Sequence, residues 1–175
     1  LTPLAEQRRA AVSHGLLAHL TPLGAVQAAM MLAAVWWAWI FTSWVTNWLD
    51  PDSVPVRLML LLLMLGSLAL AIAIPEAFAE RGLIFACVYV AMQVGRSLFT
   101  AFAFSGHDPR GCRNFLRISA WLAIAAPFWI AGGLSEGDAR LGLWVLALAI
   151  EYAGPAMGFR VPFLGASRTA DWQVS

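Results

Sequence analysis

Residues 58–74 read LMLLLLMLGSLALAIAI, a stretch without a charged side chain. The hydrocarbon core of a bilayer is about 30 Å thick, and a helix needs roughly 20 mostly apolar residues to cross it. The apolar character extends over residues 56–78, so this segment is long enough. It predicts a membrane-spanning helix, and that restricts the fold of the whole chain to one built in a bilayer.

Four more segments have similar length and apolar content, at residues 23–49, 82–105, 115–134 and 139–159. The connections between the five segments contain the turn-forming stretches DPDSVP, ERG, SGHDPRGCRN and SEGD. The sequence therefore predicts an all-α, polytopic transmembrane helix bundle with about five spanning helices. Its membrane domain covers residues 23–160, between an amphipathic or interfacial N-terminal segment at 1–22 and a C-terminal tail at 161–175.

Composition excludes several classes of protein. Hydrophobic residues make up 61% of the chain and charged residues 12%, whereas soluble domains carry about 25% charged residues. The net charge of +1 is too small to indicate a nucleic-acid partner, so the expected partner is the lipid bilayer. His14, His19 and His107 lack metal-site spacing, and no catalytic or nucleotide-binding motif is present. The sequence predicts no metal, no cofactor and no enzymatic activity.

Two charged residues fall inside predicted spans, where charge is costly. Arg96 lies nine residues before Ser105, about 13 Å along a helix axis. Glu151 lies ten residues before Val161, about 15 Å. Because the third and fifth spans run in the same direction, both groups are expected at similar depth, where they can form an ion pair. The alternative is that Arg96 snorkels to the near face and Glu151 is protonated.

Other polar residues are expected in the same half of the bilayer. The sequence predicts that one polar pocket is lined by Ser43, Asn47, Ser67, Gln93, Arg96 and Glu151. Two interpretations stay open: the residues form a path for a substrate or ion, or they only tie the helices together.

Arg113, Arg117 and Trp121 are spaced four residues apart at the start of the fourth span. This row predicts an interfacial contact of Arg113 and Arg117 with lipid headgroups or an anion. The simpler interpretation is snorkelling of both arginines to the interface. Arginines near the span ends are more numerous on the side of Arg57 and Arg110 than on the side of Arg81, which favours an outside N-terminus and an inside C-terminus.

The sequence resembles a known family in several motifs that occur in order. These are WWAWIFTSWVTNWLDPDSVPVRLMLLLLMLGSLALAIAIPEAF, YVAMQVGRSLF, RNFLRISAW and, near the end, EYAGPAMGF with SRTADW. Together they resemble the bacterial low temperature requirement protein A family, from about residue 19 to 172. The resemblance implies a multi-pass protein of the bacterial inner membrane without an assigned biochemical activity.

The resemblance also implies a set of recurrent positions. They are Trp36, Trp37, Trp39, Asn47, Asp50, Arg57, Pro75, Gln93, Arg96, Arg113, Asn114, Tyr152, Pro155 and Trp172. The chain departs from the family pattern at its start, where AEQRRAAVSHG stands in place of an acidic and aromatic helix. It is expected to correspond to the first half of a longer family protein, so its partners are expected to be a second copy or the missing half.

The leading functional hypothesis is a transporter-like or channel-like role with the polar pocket as its site. The alternatives are a non-transporting membrane helper that binds lipid or a protein partner, and a truncated paralogue that is inactive alone. A sealed Arg96–Glu151 pair favours the helper, and a cavity at Gln93 and Arg96 that water can reach favours transport.

Overall fold

The computed structural model describes residues 22–161, and its regular elements are helices. The five α-helices are α1 (Pro22–Trp48), α2 (Val54–Ala73), α3 (Gly82–Phe104), α4 (Pro109–Leu134) and α5 (Gly137–Ala156). A short 3-10 helix, Ile74–Glu76, follows α2. The predicted all-α fold is confirmed. The predicted segments 1–22 and 161–175, and with them Trp172, lie almost entirely outside the described residues.

Four of the helices are long and apolar enough to cross a membrane: α1, α2 with its 3-10 extension, α3 and α4. On α2 the outward side chains are large and apolar, as at Leu62, which is 68% exposed. Such a surface suits contact with lipid rather than water. The helix α5 contains Asp138, Arg140 and Glu151, which lower its apolar content, so a fifth span remains a prediction.

The helix boundaries follow from local chemistry. Pro75 falls in the 3-10 turn at the end of α2, because proline has no N–H to continue the helical bonding. Asp108 caps α4, since its carboxylate accepts a hydrogen bond of 2.9 Å from the backbone N–H of Arg110. Pro109 then occupies the first helical position, which tolerates proline.

The described part of the chain divides into two units between residues 35 and 36, and the boundary lies within α1. The described part of the first unit is the beginning of α1, residues 22–35. All contacts given below lie within residues 36–161.

An apolar core lies in the second unit. The second half of α1 contributes one side chain per turn, and α2 and α4 add further aliphatic and aromatic side chains. The buried members are Trp37, Phe41, Val45, Leu49, Val56, Met59, Leu63, Ala101, Phe115, Ile118, Leu122 and Phe159.

A second group of aromatic rings surrounds the first half of α3. The ring centroids of Phe85, Tyr89, Trp129 and Trp144 lie 4.7–6.0 Å apart in contacting pairs. These rings come from α3, α4 and α5 and are fully buried. They make the surroundings of the adjacent polar side chains apolar.

Candidate functional site

One face of α3 carries a row of buried polar side chains. Tyr89, Gln93, Arg96 and Thr100 follow the spacing that places residues on the same side of a helix. Each is at most 1% exposed. Buried polar groups need hydrogen-bond partners, so the contacts of this row define the site.

Arg96 binds the second half of α1. Its Nη1 donates to the carbonyl oxygen of Ala38 at 3.0 Å and to Oγ1 of Thr42 at 2.7 Å. Its guanidinium carbon lies 5.6 Å from the centroid of the Phe41 ring, within cation–π range. Its Nη2 donates to Oε1 of Gln93. Arg96 therefore joins α1 to α3.

Gln93 continues this series of hydrogen bonds along α3. Because its Oε1 accepts from Arg96, its Nε2 faces the other way and donates to the Tyr89 hydroxyl at 3.2 Å. The hydroxyl has one hydrogen, which it donates to Oε2 of Glu151 at 2.8 Å. The hydrogen bonds thus run in one direction, from Arg96 through Gln93 and Tyr89 to Glu151.

Glu151 is 2% exposed and ends the row. Besides the bond from Tyr89, its Oε1 accepts from Nε1 of Trp129 at 2.8 Å. The indole N–H can only donate, so both carboxylate oxygens act as acceptors in this arrangement. Trp144 supports Trp129, because its own Nε1 donates to the Trp129 carbonyl at 2.9 Å.

We call this series the Arg96–Glu151 row: Arg96, Gln93, Tyr89 and Glu151. A direct ion pair between Arg96 and Glu151 was predicted, and that prediction is wrong. In the described chain the two charges make no contact within 4.0 Å, and Gln93 and Tyr89 join them instead.

The depth estimate explains the error. The helix α5 ends at Ala156, before the expected end of the fifth span. Glu151 bonds to Tyr89, which lies seven residues from Arg96, or about 10 Å along α3. Glu151 thus bonds to a residue two turns from Arg96 on α3, and Gln93 lies between the two.

The structure does not bring the rest of the predicted pocket into this row. Asn47 and Ser67 are exposed, and Ser43 is half-buried. The Ser67 hydroxyl donates to the Met64 carbonyl of its own helix at 2.8 Å. A helical serine can satisfy its hydroxyl in this way without any tertiary partner. A functional pocket of all six residues stays a prediction.

The predicted interfacial arginines lie at the start of α4. Arg113 is exposed, and its Nε donates to the Pro109 carbonyl at 3.4 Å. Arg117 is half-buried. A headgroup or anion contact at these two residues is still a prediction.

The helix α5 ends in a Schellman motif. The N–H of Phe159 donates to the Gly154 carbonyl at 2.8 Å, and Gly158 adopts a positive φ of 60°. Gly154 is closely packed, since an added Cβ would lie 2.7 Å from the Phe159 ring. The nearby Ile150 carbonyl accepts a hydrogen bond of 2.6 Å from Nε1 of Trp121. The helix thus ends five residues after Glu151.

A cavity of about 580 Å³ lies between α2 and α3. Its walls are apolar and include Leu58, Leu62 and Met92, and Gly95 leaves open space on the α3 side. Arg96 is the one charged residue among the lining residues in the described chain. The cavity and the Arg96–Glu151 row therefore meet at Arg96.

Arg96 also has an unused donor. Its Nε is buried and has no hydrogen-bond partner within residues 22–161. Nε1 of Trp37 and Oδ1 of Asn114 are also buried without a hydrogen-bond partner in the described residues, but neither residue lines the cavity. No group of three or more metal-ligating side chains occurs in the part of the chain that the structure describes.

Sequence reasoning missed three contributors to the row: Thr42, Tyr89 and Trp129. Tyrosine and tryptophan count as apolar in a hydropathy pattern, although each needs a partner when it is buried. The signal that could have identified Tyr89 is its position one turn from Gln93 on the same helix face.

A profile of the family described as Bacterial low temperature requirement A protein (LtrA) matches residues 10–175. A Rhizobium meliloti (strain 1021) protein, Uncharacterized protein RA0937, is 50% identical over 143 residues. This match covers 82% of the present chain but 35% of the relative, so the chain spans about a third of that protein's length. No solved structure matches the chain.

The family match covers most of the chain, and four helices are long and apolar enough to cross a membrane. The chain is an integral, multi-pass membrane protein that belongs to the bacterial low temperature requirement A protein (LtrA) family.

Proposed function

We propose that this protein binds an apolar molecule dissolved in the bilayer, in the cavity between α2 and α3. The observation that carries the proposal is the cavity itself. Its volume of about 580 Å³ is within the usual range of small-molecule sites, about 300–1,000 Å³. Its rim includes Leu58 and Leu62, which are more than half exposed on the lipid-facing side of α2. A ligand can therefore enter sideways from the lipid.

The same geometry favours binding over a polar transport path. Gln93, Tyr89 and Glu151 are buried, bond to one another, and do not line the cavity in the described chain. A polar solute in the cavity would meet hydrocarbon walls, and loss of its hydration would be uncompensated. An apolar molecule gains from the same walls.

The test uses the full chain in lipid nanodiscs with a diazirine-bearing hexadecane, followed by mass spectrometric mapping of the labelled peptides. Labelling is expected on α2 and α3. In Gly95→Leu the new side chain fills the open space in the cavity, so most of the labelling of these two helices should be lost.

Gly142→Leu is the matched control for this experiment. Gly142 is also a helical glycine with open space around it, but it lies on α5, outside the cavity. The control should label like the native chain. Equal labelling of all helices, or unchanged labelling in Gly95→Leu, contradicts the proposal.

A second candidate is transport of an ion or polar substrate, and one observation favours it. The helix α5 stops at Ala156, close after the buried Glu151. Transporters often build their sites at such discontinuous helices. The check is ion flux into proteoliposomes. Flux above that of empty liposomes, lost in Glu151→Gln, supports transport, and its absence argues for binding alone.

We further propose the bacterial cell membrane as the location, with the N-terminus outside. Single cysteines at Ser53, Glu80, Gly106 and Gly137 would report the connections between helices. Accessibility should alternate between the two sides of the membrane. Two consecutive connections on the same side contradict a five-span topology.

A further inference from the structure

We propose that the ligand of the α2–α3 cavity is a single unbranched hydrocarbon chain that lies along the two helices, and that Met92 limits the width of the ligand. The inference rests on the proposed function and names its ligand class. It starts from the arrangement of the lining residues along each helix and from one close contact, between Met92 and Gly66.

The lining residues form one stripe on each helix. They run from Pro55 to Gly66 on α2 and from Val88 to Phe99 on α3, in both cases at positions i, i+3, i+4, i+7, i+8 and i+11. Positions with this spacing lie on one side of a helix. The distance between the first and the last position is about 16 Å along a helix axis. The lining therefore extends much further along the helices than around them.

The shape of the ligand matters because polarity does not distinguish one hydrocarbon from another. Lipid tails are as apolar as the cavity walls, so a hydrocarbon that moves from the bilayer into the cavity gains little from the hydrophobic effect. The difference comes from non-bonded contacts, which are lost wherever a gap stays between ligand and wall. A flexible unbranched chain follows both stripes along their length. A rigid fused-ring hydrocarbon is shorter and wider, so it leaves part of each stripe without contacts.

Met92 reaches from α3 to the backbone of α2. A Cβ added at Gly66 would lie 2.6 Å from the Met92 Sδ and 2.8 Å from its Cγ, so the methionine side chain occupies the space that a side chain at Gly66 would need. Both residues line the cavity, and Met92 therefore takes up width that a ligand would otherwise fill. Methionine is unbranched and flexible, so this wall adapts to a slender ligand but obstructs a wide one.

The experiment uses the full chain in nanodiscs with the diazirine-bearing hexadecane and two competitors, hexadecane and perhydropyrene. These saturated hydrocarbons have the same number of carbon atoms, but perhydropyrene is a rigid fused-ring body. At equal mole fraction in the membrane, hexadecane should compete about threefold more strongly, as expected when the ring system loses roughly five heavy-atom contacts.

The outcomes separate the two proposals. Labelling of α2 and α3 that neither competitor reduces contradicts the proposed function. Equal competition by the two hydrocarbons, or stronger competition by perhydropyrene, keeps the apolar site but overturns the assignment of an unbranched chain.

Met92→Ala tests the role of this side chain in specificity. Its removal adds the space beside Gly66 to the cavity, so perhydropyrene should compete as well as hexadecane in this variant. A retained preference for hexadecane overturns the role of Met92. Met64→Ala is the matched control, because Met64 is an exposed methionine of α2 outside the cavity lining. The control should keep the native preference.

Gly66→Ala tests the same contact from α2, and it decides the role of Met92 where Met92→Ala does not fold. Alanine favours the helix, but its Cβ would displace the Met92 side chain and narrow the cavity. Labelling by the hexadecane probe should fall about threefold, for the same number of lost contacts. Unchanged labelling overturns the role of Met92. In a folded double variant with Met92→Ala the conflict is absent, so labelling should return, and a persistent loss counts against the contact.

An unbranched chain in the cavity has two sources, the tail of a bilayer lipid and a single-chain molecule dissolved among the lipids. Nanodiscs of diphytanoyl phosphatidylcholine, whose tails carry methyl branches, distinguish them. Probe labelling that is higher than in nanodiscs with unbranched tails supports occupation by lipid tails, and equal labelling supports a single-chain molecule. Lower labelling would show that branched tails displace the probe, which overturns the assignment of an unbranched chain.

Discussion

Arg96 and Arg140 are both buried arginines, but their N–H groups donate to different kinds of acceptor. Arg140 binds backbone carbonyls. Its Nε donates to Gly132 and Ser135 at 3.2 and 2.8 Å, and its Nη1 donates to Ala77 and Ala79 at 2.9 and 2.6 Å. These carbonyls belong to the end of α4 and to the segment after α2, so Arg140 joins three parts of the chain where helices leave carbonyls unpaired.

Arg96 mainly binds side chains and keeps one donor unused. A backbone carbonyl cannot be replaced by mutation or rearranged by a ligand, whereas a side chain can rotate. A buried charge therefore does not by itself mark a functional site. Arg96 differs from Arg140 in having two side-chain acceptors and one donor without a partner within residues 22–161.

The largest effect is expected when the charges of the Arg96–Glu151 row are removed. Arg96→Leu or Glu151→Leu should each lower the free energy of unfolding by about 3–5 kcal/mol, because the other charge remains buried without its counterpart. The double variant should lose less than the sum of the two. Reversible unfolding in mixed micelles measures the three values.

Tyr89→Phe tests whether the energetic coupling between Arg96 and Glu151 passes through the row. If it does, the difference between the double variant and the sum of Arg96→Leu and Glu151→Leu should become smaller when Tyr89 is also replaced by Phe. Unchanged non-additivity there would show that the two charges interact by another route.

Arg140→Leu should lower the free energy of unfolding by about 2–4 kcal/mol, because several carbonyls lose their donor. Labelling of the cavity should be unaffected in the protein that remains folded. The control is Arg57→Leu, which removes an exposed ion pair with Asp52 and should change stability by less than about 1 kcal/mol. Loss of cavity labelling in folded Arg140→Leu would remove the distinction between the two arginines.

Tyr89→Phe alone should lower the free energy of unfolding by about 1–2 kcal/mol, since Glu151 loses a donor and Gln93 an acceptor. Tyr152→Phe is the matched change outside the row, and it keeps the ring that stacks on Trp37 at 4.3 Å. It should have the smaller effect. A larger loss of stability in Tyr152→Phe than in Tyr89→Phe would show that the hydroxyl outside the row contributes more to stability.

The smallest effect is expected at Gly95, which can be compared with Gly133, a second helical glycine in closely packed surroundings. Gly95→Ala should raise stability by up to about 1 kcal/mol, because alanine favours the helix and the Cβ meets open space. Gly133→Ala should lower it, since a Cβ there would lie 2.9 Å from the Cα of Leu83. Thermal unfolding compares the pair, and a loss of stability at Gly95 would show that the cavity side of α3 is packed.

Much of the fold could be predicted because apolar length is a direct physical requirement for crossing a bilayer. Four of the five predicted spans meet that requirement, and Pro75 ends α2 as a residue without an N–H should. The fifth segment was placed by its hydrophobic content alone. Its end depends on the Schellman motif at Gly158, which a hydropathy pattern does not register.

The candidate site could be predicted only in part. Gln93, Arg96 and Glu151 were identified because polar groups are rare in apolar helices, and the structure joins them. Ser67 looked similar in sequence, but its hydroxyl is satisfied by its own helix. The cavity could not be predicted, because it depends on how α2 and α3 pack rather than on the pattern of either helix.

The fixed orientation of the Gln93 amide has an electrical consequence. Proton hopping requires groups that can take a hydrogen on one side and release another, as hydroxyls and water do. A primary amide releases its hydrogens reluctantly, and that of Gln93 is held between a guanidinium and a phenol. The row can therefore carry polarisation between its two charges but no proton current. The Gln93 amide therefore interrupts proton hopping along the row between Tyr89 and Arg96.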